Sequence, residues 1–197
     1  MAVMHRLGLH PLRHLIPCVA ILLAACGDSG PSADLDHDGA PALIQVAEQG
    51  DISALNALLT GQAQPDVRDA CQWTPLMKAA LNGHQDVVER LVDAGATIGA
   101  EDTGGYTAMM LAASNDHAEI VDYLLEQGAE IDHQESTQGF TALIWAAKLG
   151  HAETVEVLLE HGADADLVDL DGRDAADWAA AEGFQTIAER LRERPSA

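Results

Sequence analysis

The sequence predicts an all-α solenoid of about five helix–turn–helix units. Its main sign is a repeated block: QWTPLMKAALNGH at 72–84 returns as GYTAMMLAASNDH at 105–117, GFTALIWAAKLGH at 139–151 and GRDAADWAAAEGF at 172–184. A weaker copy, GAPALIQVAEQGD, stands at 39–51, and successive copies are 33 or 34 residues apart. Such a period is the signature of repeat architectures, in which each unit buries its apolar face against its neighbours. Composition agrees, because 48% of the 197 residues are hydrophobic but only three Trp, two Tyr and two Phe are available for a large central core.

Each unit contains two short segments with helical periodicity. In the unit that begins at 139, apolar residues recur at i, i+3 and i+4 in both segments, as Leu143, Ala146 and Ala147 and as Val155, Leu158 and Leu159. This spacing gives each helix one apolar face. The paired alanines predict inner helices that stack closely.

The ends of these helices carry typical capping residues. The first helix of a unit follows a residue whose side chain accepts a backbone N–H, namely Thr74, Thr107, Thr141 or Asp174. The second helix ends at a glycine suited to the left-handed conformation, namely Gly95, Gly128 or Gly162. Between units lie turn-forming tips such as Asp169-Leu-Asp-Gly.

The blocks TPLMKAALNGH, TAMMLAASNDH and TALIWAAKLGH, each followed by a V-x-x-L-L-x-x-G-A-type helix, resemble the ankyrin repeat family. The resemblance covers residues 39 to about 194 and implies β-hairpin-like finger loops between helix pairs. It places an ankyrin repeat domain at 40–194, with units near 39–71, 72–104, 105–138, 139–171 and 172–194. One extra residue at Glu135–Gln138 is expected to lengthen that finger.

Residues 1–25 predict a lipoprotein signal peptide. Arg6 and Arg13, with no acid, precede an apolar run from Leu15 to Ala25 that is too short for a membrane-spanning helix of ~20 residues. The sequence LAAC, ending at Cys26, resembles the lipobox of bacterial lipoproteins, which implies acylation of Cys26. Gly27 follows Cys26, at the place where an Asp in that family favours retention in the inner membrane. The resemblance therefore implies that the protein is attached to the outer membrane and faces the periplasm. An ordinary signal peptide is the alternative.

The predicted lipidated Cys26 begins a flexible tether at 26–39, rich in Gly, Ser, Pro and Asp. Cleavage would remove Cys18 and acylation would occupy Cys26, so we expect no disulfide within the mature chain. Stability must then come from packing.

The charge of the chain limits its partners. Ten Lys and Arg against 32 Asp and Glu give a net charge of −22, and the mature chain, without two arginines, would carry −24. Binding to nucleic acid requires cations that neutralise phosphates, so this class is excluded, and anionic lipid surfaces are repelled. We expect a neutral or basic protein partner, membrane contact only through the lipid anchor, and a monomer.

The residue before the capping residue at the start of each inner helix is large. These residues are Trp73, Tyr106, Phe140 and Arg173. The resemblance places them at a position that varies with the partner, and aromatic residues and Arg are common interface anchors. Further candidates for the concave face are Leu81, Asn82, Ser114, Asn115, Lys148 and Leu149. The alternative is that the large side chains pack between adjacent fingers, as we expect for Trp145 and Trp178 in the core.

No set of residues predicts catalysis, a cofactor or a metal centre, so an enzyme is not expected. The recurring His84, His117 and His151 are interpreted as structural, because ligands one repeat apart are poorly placed for a tetrahedral metal site. The segment from Asp34 to Gly39 resembles the start of a calcium loop, but Gln45 stands where its bidentate Glu belongs.

These observations favour an envelope-tethered scaffold that binds a protein partner through its finger and concave face. Exported bacterial proteins resembling this one are associated with supporting envelope enzymes such as catalases, or with neutralising toxins or phospholipases. Two alternatives stay open. One is a cytoplasmic ankyrin adaptor with a false signal, and the other is an acidic cation-binding envelope protein.

Overall fold

Helix pairs make up the part of the chain that the computed structural model describes, residues 40–193. Within that range ten helices follow one another and no strand is assigned. They are α1 (Ala40–Gln49), α2 (Ile52–Thr60), α3 (Pro75–Leu81), α4 (Gln85–Asp93), α5 (Ala108–Ala113), α6 (Ala118–Glu126), α7 (Ala142–Leu149), α8 (Ala152–Glu160), α9 (Ala175–Glu182) and α10 (Gln185–Arg192). The predicted all-α repeat solenoid is confirmed. The signal, Cys26 and the tether lie outside the described residues.

The predicted caps form at the start of every later inner helix. The side-chain oxygens of Thr74, Thr107, Thr141 and Asp174 accept backbone N–H groups three residues on, at 3.3, 3.4, 3.1 and 2.7 Å. Pro75 occupies the first turn of α3, where its missing N–H costs nothing. Local sequence therefore fixes where the inner helices begin.

Alanine pairs let the inner helices pack closely. Ala79 and Ala80 in α3, Ala112 and Ala113 in α5, and Ala146 and Ala147 in α7 are fully buried. The outer helices add branched residues such as Val87, Val121 and Val155 to the same core. Because each helix pair packs against its neighbours, the core runs continuously along the stack.

Imidazole rings join successive units. Nε2 of His84, His117 and His151 donates to a carbonyl at the end of the preceding inner helix, Glu48, Leu81 and Ser114, at 3.0, 3.1 and 3.2 Å. The structural interpretation of these histidines agrees with their contacts. Each of the first two rings also lies over a glycine of the preceding unit, since a β-carbon at Gly50 or Gly83 would come within 2.6 Å of the ring.

Cys71 is disulfide-bonded in the structure of the full chain. The expectation of no disulfide concerns the cleaved and acylated chain, and it stays a prediction.

The glycines between paired helices provide a test of this junction. Gly83→Ala should destabilise the chain more than Gly183→Ala. Both glycines have positive φ, 74° and 91°, but only at Gly83 would the new methyl group collide, with the ring of His117. We expect a loss of roughly 1–2 kcal/mol from the left-handed backbone alone at Gly183, and about 1–3 kcal/mol more from overpacking at Gly83.

Urea unfolding of the full chain would measure both changes. Gly183→Ala is the matched control, because a β-carbon at that position would have no atom of the described residues, 40–193, within 4 Å. Equal losses in the two variants would contradict the role of the imidazole in packing against Gly83.

Candidate functional site

A carboxylate organises three of the fingers in the same way. Oδ1 of Asp69, Asp102 and Asp169 accepts the backbone N–H groups two and four residues further on, and every one of these hydrogen bonds is 2.8 or 2.9 Å long. The second donor is in each case the residue immediately before the N-cap of an inner helix. The carboxylate therefore fixes the backbone of Trp73, Tyr106 or Arg173.

Glu135 does the same in the finger that is one residue longer. Its Oε1 accepts from the N–H of Gln138 at 2.9 Å and of Phe140 at 3.0 Å, while Oε2 accepts from the N–H and hydroxyl of Thr137. The longer side chain spans the inserted residue and still reaches Phe140, the residue before the N-cap Thr141. Sequence reasoning found the insertion but missed this compensation, which the change from Asp to Glu signals.

Backbone hydrogen bonds link each finger to the next. The N–H of Thr103 donates to Cys71 O at 3.2 Å, that of Ser136 to Gly104 O at 2.9 Å, and that of Leu170 to Gln138 O at 2.9 Å. The fingers therefore form one continuous ribbon, which we call the finger ribbon (residues 68–73, 101–106, 134–140 and 168–173). It holds the four large predicted contact residues in one register.

The four large residues differ in how far their side chains are buried. Tyr106 is 7% exposed and Phe140 only 1%, and the Phe140 ring packs edge-on between Trp145 and Trp178, at 5.0 and 5.3 Å between centroids. The alternative interpretation, packing between adjacent fingers, describes these two side chains. Trp73 is half-buried.

Trp178 lies between two cations. Nζ of Lys148 is 3.3 Å from the ring centroid and Cζ of Arg173 is 3.7 Å from it. Non-bonded heavy atoms stay about 3.5 Å apart, so both groups cannot share one face of the indole and must cover opposite faces. The indole N–H donates to Asp169 Oδ2 at 2.8 Å. Lys148 and Arg173 are consequently held in place against the two faces of this ring.

The six weaker candidates lie at the ends of the inner helices. Asn82 and Asn115 are exposed, whereas Leu81, Ser114, Lys148 and Leu149 are half-buried. The two asparagine amides donate to carbonyls of their own helices, at 2.8 and 2.9 Å, which orients them toward the helix end. Their role in binding stays a prediction. Sequence reasoning overlooked Val168 and Leu170, which are large apolar residues exposed on the last finger.

Comparison with known proteins decides the family. The sequence model of ankyrin repeats (three copies) matches residues 43–135 and 131–196. The chain belongs to the ankyrin repeat family. As an ankyrin chain it is a scaffold of the protein-binding kind, which agrees with the fingers and paired helices described above.

Individual ankyrin proteins are similar over about two units. Ankyrin repeat domain-containing protein 49 of Bos taurus is 36% identical over 67 residues, 34% of this chain and 28% of that protein. The human protein of that name is 33% identical with the same coverage, and human ankyrin repeat domain-containing protein SOWAHB is 40% identical over 60 residues, 27% of this chain and 8% of that protein. The chain thus spans less than a third of each of these relatives.

The finger carboxylates of the ankyrin units differ in electrostatics. Burial raises the pKa of Asp102 above its ordinary 3.8, with smaller contributions from the charges of Asp69 and Glu135, against the lowering effect of its two backbone hydrogen bonds. Its Oδ2 is buried and accepts no hydrogen bond from any described residue. Ionised Asp102 is therefore incompletely compensated.

Asp169 shows the opposite shift. Burial by itself acts to raise the pKa of Asp169, but hydrogen bonds from the N–H of Arg173, the indole of Trp178 and the N–H of Asp171, together with the Arg173 charge, lower it below 3.8. The indole is the difference between the two fingers, because Leu111 occupies the corresponding place in the unit of Asp102. The last ankyrin finger is accordingly anchored by a fully satisfied carboxylate.

Neither a membrane span nor a metal centre is found in the described part of this ankyrin chain. No helix between residues 40 and 193 is long and apolar enough to cross a membrane. Over the same range, no three His, Cys, Asp or Glu side chains are grouped so as to hold a metal ion.

Replacing the carboxylate by an amide should change the free energy of unfolding more at Asp169 than at Asp102. Asp169→Asn is expected to lower the free energy of unfolding by about 1–3 kcal/mol at neutral pH, because an amide NH2 would face the buried Trp178 N–H. Asp102→Asn should change it by less than about 1 kcal/mol, since its Oδ2 accepts no hydrogen bond from the described part of the chain and Asn retains the oxygen that binds the backbone.

The pH dependence has opposite signs. Stability from Asp169 is complete above pH 3.8 and is lost as pH falls through its lowered pKa, so the gap between wild type and Asp169→Asn should close in acid. Stability falls as pH rises from 3.8 through the raised pKa of Asp102, and Asp102→Asn should not show this fall. Urea titrations across this range would measure both, and parallel curves for the two variants would contradict the assignment.

Proposed function

We propose that this ankyrin chain is an envelope-tethered scaffold that binds a protein partner through its finger and concave face. The finger ribbon carries the proposal, because its carboxylates and backbone hydrogen bonds hold successive fingers in one rigid register. A surface ordered in advance loses little entropy on binding. Recognition, not chemistry, is what this arrangement can perform.

The contact residues divide into buried supports and solvent-accessible anchors. Tyr106 and Phe140 hold the fingers from within, so the side chains offered to a partner are Trp73, Arg173 and the exposed asparagines of the helix ends. The Lys78 ammonium lies 4.7 Å from the centroid of the Trp73 ring and also pairs with Glu48 at 3.1 Å, which restrains this anchor.

The acidic surface supports a neutral or basic partner. A net charge of −22 repels acidic proteins and nucleic acids and speeds association with basic ones. The same repulsion between identical chains supports a monomer.

Localisation rests on the sequence at Cys26. Acylation of Cys26 and a tether at 26–39 would keep the ankyrin domain at the periplasmic side of the outer membrane. There the scaffold would act as an accessory or inhibitor of an envelope enzyme or toxin.

Replacing the predicted acylation site tests the anchor. Cys26→Ser should abolish metabolic palmitate labelling and release the chain from the membrane fraction, because serine offers no thiol to acylate. Cys18→Ser is the matched control and should keep both label and membrane association, since Cys18 would leave with the signal. Persistent labelling of Cys26→Ser would refute the lipoprotein assignment.

Capture from envelope extract tests the binding face. The immobilised full chain should retain a protein that is held at least about tenfold less by a triple variant, Trp73→Ala/Asn82→Ala/Asn115→Ala, because loss of one anchor costs roughly 1–2 kcal/mol or more. Gln127→Ala/Thr186→Ala, on the exposed surface of the outer helices, is the control with unchanged charge. Equal retention by all three, at matched unfolding midpoints, would count against this face.

A further inference from the structure

The finger ribbon has an open end at its last finger, residues 168–173. In the ladder, Cys71 O, Gly104 O and Gln138 O each accept the N–H of the following finger. Asp171 occupies the equivalent place in the last finger. Asp171 is exposed, and no residue between 40 and 193 donates a hydrogen bond to its carbonyl oxygen. One acceptor of the ladder is therefore unused.

Glycines in the fingers show the same difference. A β-carbon at Gly105 would lie 2.9 Å from Ser136 N, and one at Gly139 would lie 3.2 Å from Leu170 Cγ, because the next finger packs directly against each glycine. At Gly172, the equivalent residue, no atom of residues 40–193 lies within 4 Å of such a β-carbon. Space for another extended segment is thus present beside the last finger.

Side chains at the open end are apolar where the inner fingers use polar ones. Arg68 donates to Glu101 O at 2.7 Å, and Gln134 donates to Val168 O at 2.8 Å, so each of these side chains ties its finger to the next. Val168 stands at the equivalent position of the last finger and has no polar group. It is 47% exposed, and Leu170, two residues on, is 75% exposed.

We propose that the open end of the finger ribbon is a docking edge for an extended segment of the partner protein. The segment adds to the ribbon by donating a backbone N–H to Asp171 O, and its apolar side chains cover Val168 and Leu170. Backbone addition to an exposed edge, with alternate side chains providing specificity, is a general mode of peptide recognition. This inference rests on the proposed function and locates part of its binding surface.

The negative charge near the docking edge favours a basic partner segment. The exposed residues Asp164, Asp166 and Asp171 flank the two aliphatic residues in the sequence, and the one guanidinium on this finger, that of Arg173, is already paired with Asp171 at 2.9 Å. A second copy of the chain would bring another net charge of −22 to this edge and be repelled. A segment in which basic and apolar residues alternate satisfies both the carboxylates and the apolar surface.

A synthetic peptide tests the edge directly. The probe is a short, blocked and fluorescently labelled peptide in which Lys and Val alternate, titrated into the full chain and followed by fluorescence anisotropy. Val168→Gln/Leu170→Ser gives the last finger the side chains found at inner-finger positions and leaves the net charge unchanged. We expect it to weaken binding roughly tenfold, because two apolar contacts are lost.

Two controls make the result specific. Ala70→Ser, at the position equivalent to Leu170 in the first finger, should bind like wild type. A peptide N-methylated on alternate residues should lose binding, because the donors to Asp171 O are blocked. Binding through charge alone would be unaffected by Val168→Gln/Leu170→Ser, and that outcome overturns the inference.

Amide chemical shifts would locate the bound peptide. Changes centred on residues 166–173 support the docking edge, and changes confined to the outer helices overturn it. A failure here is distinguishable from failure of the proposed function. If the envelope protein is still lost by the Trp73 triple variant but retained by Val168→Gln/Leu170→Ser, the scaffold stands and the docking edge falls.

Discussion

The hydrogen bonds of one carboxylate per finger are the interaction on which the remaining surface depends. Each Asp or Glu accepts the N–H of the residue that precedes the N-cap of an inner helix, and so couples the turn to that cap. Once the turn is fixed, the finger N–H groups align with the carbonyls of the preceding finger. Without that carboxylate the helices would still stack, but the ribbon would lose its register. Individual carboxylates thus stabilise the finger turns, although the net negative charge of the chain disfavours a compact state.

Most of the repeat architecture follows from the sequence because its causes are local. Period, N-cap residues and helix-ending glycines act within a few positions, and the residues at Thr141 and Gly162 behave as their types dictate. Burial of Tyr106 and Phe140 could not be obtained in this way. It depends on Trp145 and Trp178, one helical turn inside neighbouring units, whose rings close around Phe140 only after the units stack. The pattern alone gives no measure of how much of a large side chain such stacking leaves exposed.

The exposed apolar pair on the last finger shows a second limit of sequence reading. Val168 and Leu170 resemble ordinary strand residues, and only their register against Gln134, Ser136 and the open side of Gly172 makes them distinctive. Neighbour relationships between repeats, rather than residue types, give that information. The opposite pKa shifts of Asp102 and Asp169 have a different origin, since the residue nine positions further on in the same unit, Leu111 or Trp178, decides whether the second oxygen is satisfied.

Glu135 carries a consequence for protein engineering. A finger here has gained a residue without disturbing the helices on either side, because one additional methylene in the anchoring side chain restored its reach. In this scaffold, a longer finger can therefore be matched by a longer anchoring side chain. A library that lengthens the tip and replaces aspartate by glutamate at the same time would sample new surfaces on unchanged helices. Lengthening the tip alone would remove the carboxylate hydrogen bond that joins the finger to the helix cap.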